Sequence, residues 1–260
     1  MRGKVKVVWM ATAVAMVSLL TACGPDPSIQ LRANAEAAVK RQMGKDVDPA
    51  KSFTGIRIAR ESVAEQCDDY NGIYHFSMQK ACSEELESMK AAAIGPLPDA
   101  LLAGNVGAGR IAIGALSANA TDDLSEDIRN IIARPEVATS IVSTAVSLDG
   151  QVTDQARTYE MLAAAVLVAG QGVPVDRVRG VQLYDAAWSA GETLAAAMLA
   201  NVYVQGRDSV NAYLWSLRCT DSCRAGLTTE AARVALERSL DPQTLSNIQQ
   251  KAKDQTVLNL

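Results

Sequence analysis

Residues 162–191, LAAAVLVAGQGVPVDRVRGVQLYDAAWSAG, and residues 194–219, LAAAMLANVYVQGRDSVNAYLWSLRC, decide the fold when one is laid over the other. Each opens on small apolar residues, reaches a glycine (Gly170, Gly206), passes a loop with an aspartate (Asp176, Asp208) and enters a segment with an aromatic (Tyr184, Trp215). The glycines lie 36 residues apart and the aspartates 32, so the second loop is four residues shorter. This period suits a two-helix repeat, because one helical hairpin cannot bury its own apolar face and needs neighbours to complete a core. Glycine at a helix end takes the left-handed conformation without a Cβ clash. Ala163, Ala164, Ala195 and Ala196 let paired backbones approach closely, and Tyr184 and Trp215 fill the gap between hairpins, each burying about 150–250 Å².

The details carry a family resemblance. The first unit has Gly170-Gln171-Gly172-Val173, Asp176, Arg179-Gly180, Leu183-Tyr184, Ala187 and Gly191. The second keeps Leu199-Ala200, Tyr203, Gly206, Asp208, Asn211-Ala212 and Trp215. These residues resemble the Sel-one-like repeat family, a relative of the tetratricopeptide repeat, over residues 155–256, with Thr228–Leu240 and Pro242–Asp254 as closing helices. Two features depart from the family pattern: Trp188 stands where a small residue is preferred, and the second loop lacks the Gly-Val segment. The resemblance implies an all-α chain of hairpins stacked as a short α-solenoid, with Tyr184, Tyr203 and Trp215 as repeat-packing residues, while Trp188 either packs against the preceding helices, the expected role, or is exposed on a binding face. It also makes the first helices of the two units, around Met161–Val168 and Ala197–Val204, the candidates for a binding groove.

A solenoid normally needs at least three stacked units, so the helices expected over Asp123–Leu148 supply the missing layer. Asp123 and Glu126 form an acidic variant of a capping box opening Leu124–Ile132. Pro135 suits the first turn of the next helix, and Asp149-Gly150 ends it. The Ala/Gly-rich stretch Ala91–Ala120 reads either as loosely packed helix or as irregular chain. Ser28–Met43 and Ser77–Ala93 read as helices, Phe53–Arg60 is ambiguous because Ile56 and Ile58 alternate, and Asp68–Gly72 is a turn. The domains expected are therefore a helical region at 29–154 and a repeat region at 155–256.

The chain opens with three cations, Arg2, Lys4 and Lys6, and an uncharged run from Val7 to Leu20, too short to cross a bilayer comfortably. Residues 1–22 read as a signal peptide. Leu20-Thr21-Ala22-Cys23 resembles the lipobox of bacterial lipoproteins, which implies a diacylglyceryl group on Cys23 and a short tether at 23–28. Gly24 stands where Asp would signal inner-membrane retention, favouring the periplasmic face of the outer membrane. Without the leader, 22 cations face 29 anions on 238 residues, a formal charge of −7. Nucleic acid is excluded as a partner, because its binding requires a clustered cationic surface. Membrane attachment falls to the lipid, at about 0.8 kcal/mol per buried CH₂.

Cys67, Cys82, Cys219 and Cys223 are an even number in an exported chain, so two disulfides are expected. Three connectivities are open, of which the local one, Cys67–Cys82 with Cys219–Cys223, is the economical choice. Catalytic signals are poor. Cys67, Asp68, His75 and Cys82 match no zinc spacing, and Gly107-Ala108-Gly109-Arg110-Ile111-Ala112 meets a dinucleotide fingerprint that works only after a strand. Asp68-Asp69, Glu84-Glu85-Glu87 and Asp122-Asp123 are acids of the kind that cap helices or face solvent. The expectation is a protein without enzymatic activity, cofactor or metal, serving as an interaction module for a protein partner in the cell envelope. The alternative is a lipid-anchored inhibitor or immunity protein whose acidic charge steers it to a basic periplasmic hydrolase.

Overall fold

A computed structural model describes residues 26–43, 48–68, 76–116, 122–219 and 230–254. The described residues are helical, with no strand among them. The chain forms two compact units that divide between Ala93 and Ile94.

The first unit contains α1 (Pro27–Gln42), α2 (Pro49–Asp68) and α3 (Phe76–Ile94, of which Ile94 begins the second unit). Asp26 caps α1 by accepting the Ser28 N–H at 2.9 Å, an interaction worth about 1 kcal/mol. Helical spacing builds the core: Leu31 with Ala35, Ile56 with Val63, and Met78, Cys82, Met89 and Ala93 on α3. The ambiguous stretch at Phe53–Arg60 is helix, since Ile56 and Val63 two turns apart share one buried stripe while Ile58 is exposed. Cys67 and Cys82 form a disulfide with Cα atoms 5.8 Å apart, tying the last turn of α2 to α3.

The second unit runs through α4 (Leu97–Leu102), α5 (Val106–Leu116), α6 (Asp123–Ile132), α7 (Pro135–Ser147), α8 (Asp154–Ala169), α9 (Arg177–Ser189), α10 (Leu194–Gln205), α11 (Ser209–Arg218), α12 (Glu230–Glu237) and α13 (Pro242–Lys253). Each helix packs on its chain neighbour from α4 to α11, and α11 also packs on α12 and α13, compatible with a helical-repeat solenoid. The hairpins α8–α9 and α10–α11 are the two sequence repeats. Helix α8 lies at the centre, against α5, α7 and α9, and buries residues on every side, Tyr159, Leu162 and Val166 among them.

The Ala/Gly-rich stretch is closely packed helix rather than irregular chain. Ala108, Ala112 and Ala115 of α5 are buried, and a Cβ on Gly109 would lie 2.6 Å from Thr158 Cγ2, so only glycine lets α5 approach α8 this closely. The Tyr159 hydroxyl of α8 donates to the Leu101 carbonyl of α4 at 3.2 Å. At α6 the cap is Asp122, not Asp123. The extended backbone of Asp122 sets its carboxylate over the Ser125 N–H and hydroxyl, both at 2.9 Å, whereas Asp123 turns its carboxylate to the N–H of Leu124 at 3.0 Å. Gly170 ends α8 left-handed at φ 68°, but in the second unit Gly206 is right-handed and Arg207 takes the left-handed position at φ 60°. That shift puts a cost of about 1 kcal/mol on a residue with a side chain. The division at Ala93–Ile94 also differs from the expected division at 154, so α4–α7 fall in one compact unit with the repeats.

Candidate functional site

The first candidate is the dinucleotide fingerprint, and it lies wholly inside α5. The segment follows no strand among the described residues, and its first-turn N–H groups at Ala108 and Gly109 donate to Asn105 Oδ1 at 2.9 Å and Asn105 O at 3.0 Å, so it is not the strand-to-helix loop that the fingerprint requires. Its Arg110 pairs with Asp154 at 3.0 Å, and Arg157 binds the same carboxylate. These guanidiniums, Arg157 foremost, hold Asp154 below the usual carboxylate range. The acidic pairs are similarly occupied: Glu84 with Arg32 at 2.7 Å, Glu87 with Lys90 at 3.1 Å, and Asp122 with the start of α6. Among the described residues no three His, Cys, Asp or Glu side chains gather as around a metal ion. His75 and Asp69 lie outside the described residues.

The groove expected along Met161–Val168 is corrected by burial, whereas residues 201–204 of the second stretch, Ala197–Val204, are half-buried. Met161, Leu162, Ala163, Ala164, Val166 and Leu167 are all buried, because α8 is the central helix, packed against α5, α7 and α9. The predicted packing residues gather in one cluster around α9, α10 and α11. Tyr184 and Trp215 are buried there, Trp188 and Tyr203 are half-buried against it, and the Trp188 and Trp215 rings meet edge to face. Desolvation raises the Tyr184 and Tyr203 phenols above their ordinary range. Cys219 follows α11, is buried in the same cluster and is held in a disulfide. Cys223 and Cys23 lie outside the described residues, as does the signal segment. Among the described residues no helix is long and apolar enough to cross a membrane.

The open surface is elsewhere, on α7. Pro135 starts this helix, where its missing N–H costs nothing. Val137, Ala138, Ile141 and Ala145 are buried, on the helix that packs on α8, while Thr139, Ser143 and Val146 are exposed and Val142 half-buried at i, i+4, i+7 and i+3 spacing. The α8–α9 loop forms the opposite wall. Both of its ends bind the last turn of α8: the Gln171 N–H donates to Val166 O at 3.1 Å and the Asp176 N–H to Leu167 O at 3.0 Å. Gly172, at φ 69°, presses on the preceding hairpin, where a Cβ would meet Ala133 O at 2.7 Å and the Ala138 Cβ at 2.8 Å. Val173, Pro174 and Val175 therefore run beside α7 with Leu167 also in the lining, and enclose an open, mainly apolar groove of about 690 Å³.

Polar groups are few here. Ser143 and Ser147 line the groove, with hydroxyl protons donated to the Ser140 and Thr144 carbonyls at 2.9 and 2.8 Å. Asp176 caps α9 by accepting the Arg179 N–H at 3.0 Å. The Arg177 and Arg179 side chains are exposed, and neither guanidinium has an anionic partner among the described residues. Such a surface can bind, but it offers no nucleophile beside a base. Its sequence signal was the double apolar face of α7: a helix with valines outside its core stripe has more to cover than one neighbour provides. A second cavity of about 890 Å³ at the start of α11 and along α13 is lined by Thr244, Asn247, Lys251 and other mainly polar residues. The chain matches no protein-family model, no curated protein and no solved structure.

Proposed function

We propose that this chain is a lipoprotein of the bacterial outer membrane, tethered through Cys23, that faces the periplasm and binds another envelope protein in the groove between α7 and the α8–α9 loop. The observation that carries the binding reading is the uncovered apolar face of α7, where Val146 is 48% exposed opposite Val175 at 60%. Exposed valines on two walls of one groove lose water when a partner segment lies between them, at about 25 cal/mol per Å² of apolar surface covered. The tether reading rests on Leu20-Thr21-Ala22-Cys23. Sel-one-like character rests on the repeat residues and the paired helices.

The test uses the full-length chain in its own membranes with a photo-crosslinking side chain at Val146. One defined protein adduct, lost when Ser143→Trp fills the groove, is the expected result. The tether is read separately, since Cys23→Ser should remove the lipid mass and release the protein from the membrane fraction. Adducts unaffected by Ser143→Trp would overturn the groove as the binding surface. Inactivation of a basic hydrolase independent of the groove would favour the inhibitor reading.

A further inference from the structure

We propose that the groove takes an apolar segment of a partner protein that bears an acidic side chain, with that carboxylate held by Arg177 and Arg179. This rests on the protein-binding reading and specifies the partner's chemistry. The groove is open along its length rather than enclosed, which suits a chain segment laid across it more than a small molecule that must be surrounded. Its walls supply Val142, Val146, Val173 and Val175. The serine hydroxyls have already committed their protons to α7, so what they turn to a ligand is acceptor capacity, suited to donor N–H groups of a partner backbone.

Charge decides the rest. Although the chain is acidic overall, the Arg179 guanidinium lines the groove, and Arg177 is exposed in the same first turn of α9, neither with an anionic partner among the described residues. The one acid in the lining is Asp176, whose Oδ1 is engaged in capping α9. An incoming carboxylate gains a bidentate guanidinium partner, whereas an incoming lysine meets like charge.

The test pans a displayed library of random 12-residue peptides on the full mature protein and on Ser143→Trp, Val146→Trp and Arg177→Glu/Arg179→Glu, each with a wild-type circular dichroism spectrum. Peptides recovered on the wild type but on neither tryptophan variant should be rich in apolar residues with Asp or Glu. The double charge reversal should weaken those peptides at least tenfold and shift recovery to Lys and Arg. Groove-dependent peptides without acidic enrichment, or acidic peptides indifferent to the reversal, would overturn this inference and leave the docking reading standing. Absence of any groove-dependent peptide would overturn both.

Discussion

The Trp188 and Trp215 rings meet edge to face, with centroids 5.6 Å apart and planes at 86°. Trp188 comes from the second helix of the first hairpin and Trp215 from that of the next, so the contact crosses the repeat junction. The Arg218 guanidinium lies 4.8 Å from the Trp215 ring centre and its Nη2 donates to Asp254 O at 2.9 Å, joining the ring to the chain just after α13. A residue that departs from the repeat pattern thus seals the join that the pattern requires.

Trp215→Ala should cost about 3–5 kcal/mol, since the ring is fully buried and its removal leaves a cavity. Trp188→Ala should cost about 1–2 kcal/mol, from a half-buried ring and the loss of its edge contact. Urea melts of both variants measure this; equal stability of wild type and Trp215→Ala would refute the packing role.

Gly172→Ala should destabilise more than Gly150→Ala, although both glycines have positive φ. The added methyl meets Ala133 O at 2.7 Å in the first case and nothing within 4 Å in the second. Gly150→Ala carries only the backbone cost of about 1 kcal/mol, and the excess at Gly172 reports the close approach that builds the groove wall. Thermal melts that rank the two equally would contradict this.

Glu160 is buried in α8, with Oε2 lacking a hydrogen-bond partner, and burial, then the charge of Asp149, raises its carboxyl above the ordinary range. Below pH about 4 the group is protonated whether the chain is folded or not, and its contribution is fully present. As pH rises from there through the raised folded value, the unfolded chain releases its proton more readily and stability falls. Glu160→Gln should therefore stabilise at pH 7.5, and the gain should vanish near pH 4. A gain independent of pH would disprove the assignment.

Cys67 and Cys82 close a loop of 15 residues, worth about 3 kcal/mol in the loop-entropy account. The Cys67→Ser/Cys82→Ser variant should lose hydrogen-exchange protection in α1–α3 while α8 keeps its own. Unchanged exchange in α1–α3 would show the bridge to be energetically idle.

Local rules reached far along this chain. Pro135 and Gly170 marked a helix start and a helix end because their backbone preferences need no tertiary contact, and Tyr184 and Trp215 stand in the core, where an aromatic among alanines belongs. The capping box was misplaced by one residue, since Asp122 and Asp123 are chemically alike and only ψ selects which carboxylate reaches Ser125.

Sequence alone determined that the chain is helical, because apolar spacing and helix punctuation are properties of neighbours in the chain. Tertiary structure alone decided which faces stay open. Met161–Val168 reads as a candidate for the binding groove until three helices close around it. Val146 of α7 is left exposed and Val142 half-buried, facing a groove whose other wall is the α8–α9 loop. Burial depends on what packs against a residue from elsewhere in the chain, and no local pattern encodes that distance.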